Sequence, residues 1–463
     1  MKNIILFFFL IFGFSFSIDA QTISENEAKE YAMQWFDYIN GTKSNIQNNI
    51  KIGKMVDKEM DSTFIYNVNF EGGGFVLISS EQGINPIFGY SRTGVFEEEK
   101  LSLGDKIWIE CALNHLKTVK EKNDRFGNAV KYDMESYMKK SALRSASIPS
   151  SIPSLFETYQ TSRWAFWDPY DSAFPFTTNG NICVPLAMAQ IVKFHQYPMQ
   201  GSGGYGGVDF SRQFYNYSEM PFRLTYCGNS ANGGICDDGT FNIISGVTVN
   251  HIKNVSTLIY HLGVMVNTNS AGTSGTPFNW VDKLVLYFNY SNYFNYRDEF
   301  YISNNKNAFK EELRNEIFDN RPVLFAYYNS SWGAGHAVVI DGYENNDYFH
   351  FAIGRGGSED LYYYLFDLDD DGVHLGSPQR AYYRAATGIK PICPNASDLN
   401  INNISFSDSK RYEATNSVVL NTVSVLNGGR IAIQAGSFIQ MNSGFEIQSG
   451  AEGVFIVKEC GFP

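Results

Sequence analysis

Residues 181–195 read Asn-Ile-Cys-Val-Pro-Leu-Ala-Met-Ala-Gln-Ile-Val-Lys-Phe-His. From Cys183 onward, Leu186, Ala187, Ile191 and Phe194 recur at helical spacing. Pro185 fits the first turn, where its missing N–H costs little. The pattern therefore predicts a helix that begins at Cys183. Backbone N–H groups at a helix start, and the dipole behind them, favour a thiolate there. The N–H of Cys183 itself would stand ready for an oxyanion. A buried structural cysteine at a helix start fits the same residues, and both readings stay open on this stretch alone.

A thiolate nucleophile needs a histidine near it in space, and the chain has seven. His195 lies on the same predicted helix, about 18 Å along it at 1.5 Å per residue, and is excluded. The run Gly335-His336-Ala-Val-Val-Ile340 puts a histidine at the head of an apolar strand, ahead of an expected turn at Asp341-Gly342. Gly333 and Gly335 would let a substrate backbone come close. His350 begins the next strand-like run and is the runner-up. A strand-edge histidine taken singly is more often structural. The order, Cys183 and then His336 about 150 residues later, is that of papain-like enzymes.

The rest of the 463 residues sets the frame. This length points to more than one domain. With 44% hydrophobic and 18% charged residues there is material for a core, which excludes global disorder. The net charge is -12 and there is no basic tract, so no nucleic-acid partner is expected. Residues 1–20 combine Lys2, an apolar run too short to span a bilayer, and small residues before Gln21. They read as a secretory signal cleaved after Ala20, and the protein as secreted or cell-surface. No later stretch reaches membrane-spanning length. Export permits disulfides. Cys227 and Cys236 flank a Gly/Asn-rich loop that suits a local bridge, and Cys393 and Cys460 bracket the last segment. Cys111 reads as a buried thiol in a helix, which leaves Cys183 without an obvious partner.

Four parts follow the signal. Residues 21–138 contain predicted helices at 25–38 and 106–123 and strands at 64–70 and 74–79. Residues 139–154, KKSALRSASIPSSIPS, read as an exposed linker open to proteases. Residues 155–391 form the largest block. Residues 392–463 carry short apolar pieces separated by Gly and Asn, which predict a small all-β module with a repeat too loose for a solenoid. Asp367-Leu-Asp369-Asp-Asp371-Gly372 begins like a calcium loop, but Pro378 stands where the closing Glu belongs, so a solvated acidic turn is the better reading. No zinc-type spacing occurs, and no metal or cofactor is expected. Gly354-Arg-Gly-Gly357 lacks a phosphate-loop context and reads as a mobile cleft loop.

Several stretches match a known family. Residues 183–198 resemble the GCVATAxAQIMKYHxYP motif of streptopain-type cysteine peptidases. RPVLFAYYNSSWGAGHAVVIDGY resembles their histidine strand, and YFHFAIGRGG their YYHVNWGWGG loop. Trp164 with Pro169-Tyr170 is similar to their W-x-Q-x-x-PYN segment, and GTSGTP to a loop near their substrate cleft. Residues 66–96 are similar to the propeptide or inhibitor domain ahead of these peptidases. The C-terminal module looks like tails of exported Bacteroidetes proteins. The resemblance implies an α+β architecture: a papain-like two-layer catalytic domain, a small α+β prodomain before it and a small β module after it. It implies a Cys183–His336 dyad that cleaves protein or peptide substrates through an acyl-enzyme, and a prodomain that blocks the cleft until the linker is cut.

The departures from the family pattern are specific. The oxyanion-hole Gln aligns with Phe166, the Asn that orients the histidine with Ala352, its neighbouring Trp with Ile353, a second Trp with Arg355, and the Gly before the nucleophile with Ile182. Losing one oxyanion donor typically costs about 10²–10³ in rate. Gln160, Asn181 and Asn329 are the candidate replacement donors. The expectation is a secreted cysteine endopeptidase made as a zymogen. The alternative is an impaired relative that acts as a peptide-binding, inhibitory or surface module.

Overall fold

The computed structural model describes residues 22–41, 50–57, 62–82, 84–101, 103–126, 149–227, 241–329, 334–344, 348–356, 361–365, 381–458 and 460. The expected signal, Cys236, the acidic turn and Gly333 lie outside these residues. In the first block, α1 (Glu25–Asn40) starts in a capping box. The Ser24 hydroxyl accepts the Glu27 N–H, and the Glu27 carboxylate accepts the Ser24 N–H. The helix buries Ala28, Tyr31, Ala32, Trp35 and Phe36. Four antiparallel strands follow, β1 (Ile50–Asp57), β2 (Ser62–Phe70), β3 (Phe75–Ser79) and β4 (Ile87–Ser91), and then α2 (Leu103–Phe126), which buries Cys111.

The second block opens with α3 (Leu155–Thr158) and α4 (Cys183–His195). Two short hairpins follow, β5 (Gly204–Tyr205) with β6 (Val208–Asp209) and β7 (Thr225–Cys227) with β8 (Phe241–Ile243). Next come α5 (Val249–Met265), α6 (Pro277–Phe288), β9 (Asn295–Arg297), α7 (Glu299–Asn304) and α8 (Lys306–Phe318). The block ends in β10 (Val323–Asn329), β11 (Ala334–Glu344), β12 (Tyr348–Ala352), β13 (Leu361–Tyr364) and β14 (Ala381–Thr387). Every residue of α4 from Val184 to His195 is buried, as expected of a helix that is apolar nearly all round. It packs between α5 and β11. The strands of both blocks form one ten-stranded sheet in the order β1-β2-β3-β4-β13-β12-β11-β10-β14-β9. The join is the antiparallel pair β4–β13, with Tyr90 opposite Tyr362. This is the expected α+β arrangement, helix layer on sheet.

Three local expectations are corrected. Asp341-Gly342 is not a turn: β11 continues to Glu344 through a bulge between Ile340 and Gly342. A Cβ at Gly342 would meet the Ser154 N at 2.9 Å, so glycine lets the incoming chain cross the strand. That chain is part of the supposed linker. Ile152 pairs with Tyr343 through both backbone bonds, and the Tyr343 hydroxyl donates to the Pro149 carbonyl at 2.7 Å. Residues 149–154 are therefore anchored to the sheet, and only the part before them remains a candidate linker. The third correction concerns residues 354–356, which are pinned, not mobile. The Phe166 N–H donates to the Gly354 carbonyl and the Gly356 N–H to the Trp164 carbonyl, both at 3.0 Å.

The C-terminal module is all-β, but it is a short solenoid. β15 (Asp398–Phe406), β17 (Ser417–Val425) and β19 (Phe438–Met441) stack in parallel, with β20 (Glu446–Ile447) also on β17. β16 (Ser409–Ala414), β18 (Arg430–Ala435) and β21 (Glu452–Val457) form the second parallel sheet. Val418, Leu420, Val423, Val425, Ile431 and Ile433 fill the space between. Asn421 donates to Asn402, 19 residues back, and Asn442 to Asn421, 21 residues back, each at 2.6 Å. Coil length thus varies, which hides the period in the sequence, while the asparagine ladder keeps the coils aligned. The Cys393–Cys460 disulfide ties the ends of the module. No helix among the described residues is long and apolar enough to cross a membrane.

Candidate active site

Cys183 is the first residue of α4, with Ile182 as N-cap. The Ile182 backbone has φ -115° and its carbonyl accepts the Leu186 N–H at 3.0 Å. Any L-residue adopts that φ, so the glycine expected there is not required. The Cys183 sulfur is a free thiol, partly buried. Burial pushes the thiol up. The hydrogen bond from His336, the charge of His336 and the N–H groups of Ala337 and Val184 outweigh it, and the thiol lies below its ordinary range. The helix start and β11 thus act together, and sequence spacing alone did not reveal the Ala337 N–H.

His336 sits on β11, buried, opposite Tyr327 of β10. Its Nε2 lies 3.0 Å from the Ile353 carbonyl oxygen. A carbonyl only accepts, so Nε2 carries a proton, and Nδ1 is the nitrogen that exchanges a proton with the thiol, accepting from it when the ring is neutral and donating to the thiolate when the ring is charged. The Asn position, Ala352, contributes no polar side chain, and the orienting role passes to the next residue's main chain. No residue type announces such a bond in a sequence. The ring of Phe166 meets the imidazole edge-on, with centroids 6.0 Å apart.

The other candidates fall elsewhere. His350 Nδ1 donates to the buried Asp341 carboxylate at 2.6 Å. That carboxylate also takes the Ser154 hydroxyl at 2.5 Å and the Phe156 N–H at 2.9 Å. The runner-up histidine therefore anchors the start of the second block. His195 bonds the Tyr290 hydroxyl at 3.0 Å at the far end of α4, where burial depresses it to about 3. Gln160 is beside that same far end: its amide donates to the Glu157 carbonyl at 2.6 Å, and neighbouring Tyr159 packs on Phe194. It is not a replacement donor. Asn181 does line the cleft, and its amide donates to the Ser270 carbonyl at 2.9 Å. The side chain of Asn329 lies outside the described residues. Arg355 is buried, with its guanidinium 5.6 Å from the centre of the Trp167 ring.

The cleft has a volume of about 780 Å³. One wall is the loop from Asn269 to Gly275 with Trp280. The other is β10 and β11 with Arg384 of β14. All the residues that line it come from the second block, so among the described residues the first block does not plug it. Among the described residues no group of three or more His, Cys, Asp or Glu is placed to hold a metal ion. The arrangement offers a nucleophile, a base whose Nε2 is held on a carbonyl, and helix-start N–H groups, at the edge of this cleft.

Comparison with known proteins adds kinship. Residues 164–363 match the Peptidase C10 family, and residues 20–115 match the Spi protease inhibitor. The chain is 25% identical over 390 residues to the thiol protease/hemagglutinin PrtT of Porphyromonas gingivalis, a match that covers 81% of this chain and 42% of PrtT. It is 24% identical over 393 residues to streptopain of Streptococcus pyogenes, covering 80% of this chain and 92% of streptopain. The chain thus spans less than half the length of PrtT and most of streptopain. The fold is similar to that of a prointerpain A fragment from Prevotella intermedia, with TM-score 0.50 and 20% identity over 73% of this chain and 98% of that one.

Proposed function

Residues 164–363 belong to the Peptidase C10 family of cysteine-type peptidases, behind a Spi protease inhibitor-like domain, and on that premise we propose that this chain is a secreted endopeptidase made as a zymogen. Cys183 and His336 carry the reaction. His336 Nδ1 takes the thiol proton, Cys183 Sγ attacks the peptide carbonyl, and the tetrahedral oxyanion forms beside the N–H of Cys183. The imidazolium returns its proton to the leaving amine, and water hydrolyses the thioester with His336 as base. The observation that carries this reading is the pairing of a thiol held below its ordinary range with a histidine whose Nε2 proton is fixed on the Ile353 carbonyl.

Residues 1–20 direct export, and 21–138 form the prodomain, with cleavage ahead of residue 149. Because β1–β4 extend the sheet that bears His336, and α2 packs against β10, β11 and β14, the prodomain restrains the enzyme through that sheet. A second reading has one observation in its favour. Phe166 puts a ring where the family has a donor, which suits a peptide-binding module that has lost turnover.

Casein cleavage under reducing conditions, before and after limited proteolysis and beside Cys183→Ala, separates them. The zymogen reading expects activity that appears on nicking and disappears in the variant. No activity in nicked, folded protein, together with a Cys183 that ignores iodoacetamide, leaves the binding module.

A further inference from the structure

Ala337 follows His336 on β11. It lies opposite Ala326 on β10, and Ala326 lies opposite Arg384 on β14. Residues directly opposite share a face, so the three form one row across three strands. At about 4.8 Å per strand spacing, Arg384 starts roughly 10 Å from Ala337. The two methyl groups leave a recess that begins beside the dyad and ends at a guanidinium, with Tyr328 and Trp280 also lining the cleft. The guanidinium is held firmly. Nε and Nη2 grip the Glu299 carboxylate at 2.8 and 3.0 Å, and Nη2 also donates to the Tyr328 hydroxyl at 2.9 Å. The Tyr328 ring stacks against it, 4.7 Å from Cζ to centroid. These bonds use Nε and Nη2. Nη1, with two N–H donors, makes none among the described residues.

Building on the peptidase reading above, we propose that Arg384 is a specificity-determining residue, whose Nη1 selects a substrate side chain carrying an uncharged acceptor, the amide of glutamine or asparagine, in the recess over Ala337 and Ala326. An apolar side chain there would strip water from Nη1 and return no bond, and a site built to bond a polar group discriminates strongly against analogues that lack it. A carboxylate would meet Glu299, which already balances the guanidinium and is held ionised by it, so a second negative charge is disfavoured.

The test is a positional-scanning peptide library, read as cleavage by the nicked enzyme and, with the same peptides, as fluorescence-polarisation binding to the Cys183→Ala chain. One substrate position should prefer Gln or Asn over both Leu and Glu. Glu299→Gln, which keeps the packing and removes the balancing charge, should shift that position toward Glu by about 10-fold and leave the other positions unchanged. Arg384→Met should shift it toward Leu. A position-independent profile in both variants, or a preference for Leu in the unmodified recess, overturns the proposal. Loss of cleavage with the polar preference intact in the binding arm overturns the peptidase reading instead, and leaves the recess assigned.

Discussion

At the scale of single residues, the imidazole decides what the thiol can do. Removing His336 takes away the bond and the charge that lower the Cys183 thiol, while burial, which raises it, remains. The alkylation rate of the native chain against pH should therefore have its midpoint below that of an ordinary cysteine, and His336→Ala should move it upward. An unmoved midpoint would mean that the helix start alone sets the thiol. The sign for stability is the same: a folded thiol more acidic than the unfolded one adds stability that is full above the ordinary thiol range and fades as pH falls through the folded value. Phe166 makes the complementary prediction. Phe166→Gln replaces a ring that donates nothing with the amide of the family pattern, and should raise kcat in steady-state assays by about 10-fold or more if the oxyanion now lacks that donor. An unchanged kcat would show that another N–H already fills the place. Cys183 and His336 were legible because their chemistry is written in side chains. The Ile353 carbonyl and the Ala337 N–H were not, since every residue has both.

At the scale of elements, the start of α4 and the 353–356 turn form one unit. Periodicity and Pro185 made the helix start readable. The turn looked mobile because its bonds run to residues 164–166, and pairing across such a sequence distance leaves no local pattern. Gly354 shows how closely the two fit. Its φ is +86°, and a Cβ there would lie 2.6 Å from Leu186 Cδ2 and 3.1 Å from Phe166 Cδ1. Gly354→Ala should displace the turn from the α4 surface, and with it the Ile353 carbonyl that holds His336. The expected result is a fall in kcat of about 10²-fold, with KM less affected, since a misplaced catalytic group costs that much without loss of binding. A fold penalty of roughly 1–3 kcal/mol should accompany it. Steady-state kinetics beside a thermal melt would expose a purely structural effect, in which kcat per folded molecule stays constant.

At the scale of the whole molecule, the blocks are less separate than their compositions suggest. The prodomain strands complete a sheet whose other half bears the histidine, a join that strand patterns alone do not specify because any edge strand accepts a partner. The solenoid also packs on the second block, and its contact there carries an unusual group. Lys458, just past β21, donates to the Phe194 carbonyl at 3.5 Å, while Lys193 donates to the Tyr217 carbonyl at 2.6 Å. Burial, and for Lys458 also the charge of Lys193, depresses them to about 7 and about 8 respectively. An unfolded lysine titrates near 10.4. Between pH 7 and about 10 the unfolded chain therefore binds more protons, and stability rises with pH across that window. Below it both lysines are charged at a poorly hydrated contact and the penalty is complete. Lys458→Met should raise Tm by about 1 °C per kcal/mol of penalty removed when the two chains are compared at pH 6. The difference should shrink steeply by pH 10, where the folded lysine is neutral and the unfolded one is beginning to lose its proton. A gap of equal size at both pH values in differential scanning calorimetry would show that the methionine gains by packing alone and that no proton is coupled to the docking of the solenoid.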